Sequence, residues 1–193
     1  MADLKQQIAN LTPAQRELLE QRLRGRTARP RGADGIPRSE NRSNAPLSFA
    51  QRRLWFFDQL APGSPAYTMS RAYRVAGMID EDALRRAVTA VGQRHEILRT
   101  TFAMEGDQPV QQIAPTPPGG LSVIDLTAVG DRDKESAARA AMADEVRRPF
   151  DLERGPLLRV SLIRMGEREH VLMMAMHHIV SDGWSMGILV REL

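Results

Sequence analysis

The stretch "MAMHHIVSDGWSMGIL", Met174 to Leu189, sets two of the chain's four histidines side by side. They close an apolar run, and an Asp-Gly pair follows four residues after the second ring. A histidine at the end of a strand reaches into a crevice and titrates near neutral pH, which suits general base work. If the strand runs regularly over Val171–His178, alternation puts His178 on the face of Leu172, Met174 and Met176. His177 then points the other way with Val171, Met173 and Ala175, so the two rings do not act as a pair. A neutral His178 can take a proton from an amine or hydroxyl attacking a carbonyl, or hold the nucleophile and stabilise the charged intermediate. Asp182 is expected to cap the next helix, to pair with an arginine, or both. Gly183 is expected to permit a backbone conformation closed to other residues. Ser185 is discounted as a nucleophile because no G-x-S-x-G elbow surrounds it. Adjacent histidines with no third ligand at metal-like spacing do not make a zinc site.

The elements that must position these groups are legible from periodicity. "LSFAQRRLWFFDQL" (Leu47–Leu60) reads as a helix capped by Ser48, with Leu47, Leu54, Trp55, Phe57 and Leu60 on its apolar side. "YTMSRAYRVAG" alternates as a strand up to Gly77. "DEDALRRAVTAVGQRHEIL" reads as a helix with Leu84, Ala87, Val88 and Val91 on one face, its acidic start favouring the N-terminal dipole. A hairpin with a Gly-Asp turn follows in "LRTTFAMEGDQPVQQIA", then the short strand "LSVIDL". An Ala-rich helix in "DRDKESAARAAMADEVRRPF" stops before Pro149. Two strands flank the turn at 166–168, and "WSMGILVREL" begins another helix. Helices mixed with strands, the last strand apolar on both sides, predict an α/β (α+β) fold with a mixed sheet covered by helices.

Upstream, Thr12, Pro13 and Gly25 bound a helix with a sparse leucine stripe within residues 1–25, a possible docking element for a preceding subunit. Residues 26–45, rich in Arg, Pro, Gly and Ser, read as a flexible linker, and 46–193 as the main domain. The net charge is +3. Residues 1–45 hold nine Lys/Arg against five Asp/Glu, and the rest hold eighteen against nineteen. The basicity therefore lies outside the main domain, which argues against nucleic-acid binding. With zero cysteines there is no disulfide framework and no thiol nucleophile. No apolar run approaches the length of a membrane span, so a cytoplasmic protein is expected.

His177-His178-Ile179-Val180-Ser181-Asp182-Gly183 resembles the HHxxxDG signature of the condensation domains of nonribosomal peptide synthetases, within the chloramphenicol acetyltransferase-like superfamily. Two upstream stretches resemble that family's other motifs in order: Leu47–Leu60 its S-x-A-Q-x-R-L-W, and "RHEILRTTF" (Arg94–Phe102) its R-H-E-x-L-R-T-x-F. The resemblance implies an acyltransferase-type enzyme of secondary metabolite (antibiotic) biosynthesis that forms an amide between a donor acyl or peptidyl thioester and an aminoacyl acceptor. Both substrates would ride on phosphopantetheine of partner peptidyl carrier proteins, with no cofactor bound by the chain itself. His178 would be the catalytic histidine and His177 a support. Asp182 would hold the loop by an ion pair with an arginine, Arg99 being the candidate. Gly183 would keep the loop close to the thioester. The Trp55–Phe56–Phe57 cluster, His95 and the methionines of the last strand are expected to be structural, with Met174 or Met176 able to line the tunnel. The ending "DGWSMGIL" resembles domains joining L-configured donors to L-configured acceptors.

The resemblance covers only the N-terminal of the family's two lobes. The chain alone is therefore expected to be nearly inactive, since positioning needs both walls of the cleft. Two other readings stand beside it: a noncatalytic module that binds a carrier protein or partner subunit, and a stand-alone acyltransferase using the same histidine.

Overall fold

The capping chemistry of Ser48 is satisfied. In a computed structural model of the chain, which describes residues 44–193, its hydroxyl accepts from the Gln51 backbone while the Gln51 side chain accepts from the Ser48 N–H. This capping box starts α1, Phe49–Leu60. Asp80 does the same for α2 (Glu81–Arg94), accepting from Ala83 N–H at 2.8 Å. The expected helix within 1–25 lies outside the described residues, as does the linker up to 43. Ala45, assigned to that linker, already belongs to β1 (Ala45–Pro46), which pairs with Gln111 and Val110.

The main sheet contains β2 (Thr68–Ala76), β5 (Leu121–Asp125), β6 (Leu158–Arg164) and β7 (Glu169–His177), in the order β2-β7-β6-β5. Its one parallel pair, β5–β6, is joined by α3 (Asp131–Arg147), the long crossover a parallel connection requires. β6 and β7 form a hairpin, and β7 is interior, which explains its apolar residues on both faces. One face, with Val160, Leu162, Met174 and Met176, is covered by Val88 and Val91 of α2 and by Met186 and Leu189 of α4 (Gly183–Glu192). On the other, Ile163 and Val171 meet Ala138 of α3. The methionines of β7 are thus core.

The mixed sheet covered by helices is as expected, and the structure adds a second sheet. β1, β4 (Gln108–Ile113) and β3 (Thr100–Glu105) form a separate three-stranded sheet, order β1-β4-β3. Phe102 of this sheet packs with Phe150, Leu152, Leu157, Ala175 and Val180, below the end of β7. The segment between α3 and β6 is tied down by Arg159. Its guanidinium lies 3.7 Å from the Phe150 ring centre, pairs with Glu145, and donates to the carbonyls of Glu145, Arg148 and Pro149. Among the described residues no helix is long and apolar enough to cross a membrane.

Candidate active site

β7 ends one residue earlier than alternation suggested. His177 is its last residue, in register with Thr68, and His178 begins a turn. His178 is exposed, whereas Met174 and Met176 before it are buried. The His178 N–H donates to the Tyr67 carbonyl at 2.9 Å, the rung that follows the Thr68–His177 pair. The ring is not free to turn. His178 Nδ1 lies 2.6 Å from the carbonyl oxygen of Ser181, and a carbonyl only accepts. In the neutral ring the proton therefore sits on Nδ1, and Nε2 presents its lone pair as an acceptor.

His177 is the opposite case. It is 2% exposed, on the Ala175 side as alternation requires, with edge contacts to the rings of Tyr67 at 6.3 Å and Phe150 at 6.0 Å. Its Nδ1 accepts from Ile179 N–H at 3.2 Å. Burial, and then the neighbouring His178, push its pKa down to about 4. It is a neutral brace inside the turn.

Asp182 caps α4: its carboxylate accepts from Ser185 N–H at 2.8 Å and from the Ser185 hydroxyl at 2.6 Å. The Ser185 hydroxyl and then its amide, with smaller help from Trp184 N–H and His178, hold the carboxyl below its ordinary pKa. The expected ion pair with Arg99 is corrected. Arg99 lies in the 3-10 turn Glu96–Arg99 and donates to the Ala114 carbonyl and, at 3.5 Å, to Glu96. Asp182 finds two donors on its own helix, so no distant arginine needs to be ordered. The special backbone conformation expected at Gly183 is corrected too. The glycine has no positive φ and is the first residue of α4, and a Cβ there would meet nothing within 4 Å. Its conformation is open to any residue.

Two cavities flank this region. A mainly apolar one of about 170 Å³ lies under the turn, lined by Met176, Val180, Ser185 and Ile188. At its rim His95 Nε2 meets Glu192 at 2.7 Å, tying the end of α2 to α4, a structural role as expected. The larger, about 520 Å³, opens between α1 and residues 149–153, and no residue of the histidine motif lines it. There burial, and then Asp151, raise the pKa of Asp58. The sequence reading missed Tyr67 and Met69, which hold the turn from the start of β2. Strand pairing alone could have pointed to them, since they are brought in by register and not by motif.

A family model, Condensation domain, matches residues 41–193. This chain belongs to the condensation-domain family. It is 45% identical over its whole length to the phosphinothricin tripeptide synthetase PhsC of Streptomyces viridochromogenes, of which it spans 18%. It is 48% identical over 77% of its length to a linear gramicidin synthase of Brevibacillus parabrevis, spanning 2% of that protein. The starter condensation domain of rhizomide synthetase RzmA superposes with a TM-score of 0.72 at 29% identity, covering 78% of this chain and 37% of that one. The first condensation domain of the calcium-dependent antibiotic synthetase gives 0.70 at 28% identity, covering 77% and 36%. The condensation-domain fold, chloramphenicol acetyltransferase-like, is thus that of this chain over the region it shares, and the chain spans little more than a third of those solved domains.

Proposed function

We propose that this chain supplies the histidine-bearing, N-terminal part of a condensation domain that joins an acyl or peptidyl thioester to an aminoacyl amine. The observation that carries the reading is the ring of His178: exposed, with Nδ1–H held by Ser181 O, so that Nε2 is the acceptor. The amine lone pair attacks the thioester carbonyl carbon and forms the C–N bond. Nε2 receives the proton that the amine sheds. As the tetrahedral intermediate collapses the C–S bond breaks, the sulfur leaves with the electron pair, and His178 returns the proton to it. Neutral His177 beneath helps here, because a second charge beside His178 would oppose proton uptake. Donor and acceptor are proposed to arrive on phosphopantetheine arms of partner carrier proteins in the cytoplasm, and neither arm is a cofactor held by this chain.

The test is His178→Ala in the complete synthetase. Product formation should fall by about 100-fold or more, the span of general base catalysis, while carrier binding stays unchanged. Wild-type turnover in this variant would remove His178 from the chemistry and favour the noncatalytic binding reading.

A further inference from the structure

The turn that carries the candidate histidine is held from a distant part of the sequence. Tyr67 O accepts from His178 N–H at 2.9 Å, Thr68 is the register partner of His177, and the Ser181 hydroxyl donates to the Met69 sulfur at 3.7 Å. Three successive residues therefore fix the turn at its start and near its end. The Tyr67 side chain fixes it once more, through its edge contact with the His177 ring. On its other side Tyr67 stacks on Phe57 of α1, centroids 6.1 Å apart and planes inclined by 29°. The 3-10 turn Pro65–Tyr67 that presents it is itself capped, Ser64 Oγ accepting from Ala66 N–H at 3.3 Å.

We propose that Tyr67 is a positioning residue for the reaction at His178. Its ring, wedged between Phe57 and His177, sets where its carbonyl holds the His178 backbone. That in turn keeps Nδ1–H on Ser181 O and leaves Nε2 open. The proposal rests on the reading of His178 as the group that handles the amine's proton. Without the ring, the carbonyl and the His178 backbone can drift together, and Nδ1–H no longer has one partner. A shift on the order of 1 Å in a reacting group costs up to about 100-fold in rate. The loss should fall on the chemical step and not on substrate binding.

The experiment compares Tyr67→Phe, Tyr67→Leu and, as a control, Met78→Ala, whose side chain is exposed, in the complete synthetase by single-turnover peptide formation. It is paired with nitrogen-15 histidine NMR on the 193-residue chain. Tyr67→Leu should lower the single-turnover rate constant by about 10- to 100-fold with KM within about 2-fold. In its NMR spectrum the distinct Nδ1–H and Nε2 signals of His178 should move toward each other as the tautomers mix. Tyr67→Phe, which keeps the ring, and Met78→Ala should match wild type in both readouts. Folded Tyr67→Leu with wild-type rate and one tautomer overturns the proposal, as does equal loss in Tyr67→Phe. If circular dichroism shows Tyr67→Leu unfolded, Phe57→Leu removes the brace from the other side. It should lower the same rate constant at unchanged KM, and no loss there also overturns the proposal. Should His178→Ala retain turnover, the proton-handling reading falls, while the tautomer signals of Tyr67→Leu still decide whether Tyr67 orients the ring.

Discussion

When the pH is lowered from about 8 to about 5, an ordinary histidine, with its pKa near 6.5, gains a proton. His177 in the folded chain does not, because burial and then His178 hold its pKa at about 4. Once unfolded, the same ring titrates at its ordinary value, so between 6.5 and 4 the unfolded state binds more protons. The sign follows: stability contributed by neutral His177 is complete above 6.5, declines as the pH falls through it, and is gone near 4. The full span corresponds to about 3 kcal/mol, and by pH 5 about 2 kcal/mol is already lost. Against a typical domain stability of about 5–15 kcal/mol this is a measurable share. The assay is urea denaturation at both pH values for wild type and His177→Asn, whose amide oxygen can still accept from Ile179 N–H. The carboxylates titrate in both proteins and cancel in the difference. The variant should therefore lose about 2 kcal/mol less than wild type on acidification. Equal losses in the two proteins would refute the claim that a buried neutral ring sets this window.

Glu145→Gln removes the carboxylate that pairs with Arg159 beneath Phe150 while leaving the guanidinium buried, both side chains being about nine-tenths covered. Unfolding should become easier by about 3 kcal/mol in urea, and a loss below about 1 kcal/mol would mean that the three carbonyl acceptors suffice. Asp182→Ala removes the cap of α4 and the partner of the Ser185 hydroxyl. Amide exchange at Ser185 should accelerate and the melting temperature drop, with Asp182→Asn restoring most of both. Unchanged exchange at Ser185 in the alanine variant would contradict the capping role.

The sequence by itself determined the four helices and the strands β2 to β7 of the described region, and the identity of the site stretch. Caps at Ser48 and Asp80, the alternation of β2 and β7, and the pattern of α2 are local signals, written within one turn or one strand of the residues concerned. It also separated the two rings of the pair, because alternation needs only neighbours. Where β7 stops was not local. The last rung at that end is made by Tyr67 O, 111 positions earlier in the numbering, which takes the His178 N–H. Arg99 likewise found nearer partners than Asp182, and the strands divided into two sheets through pairings that span the chain. Only the tertiary structure decided which nitrogen of His178 is free, since that depends on which carbonyl the folded turn sets against Nδ1. Residue type fixes what a group can donate or accept; packing across distant segments fixes which partner it meets.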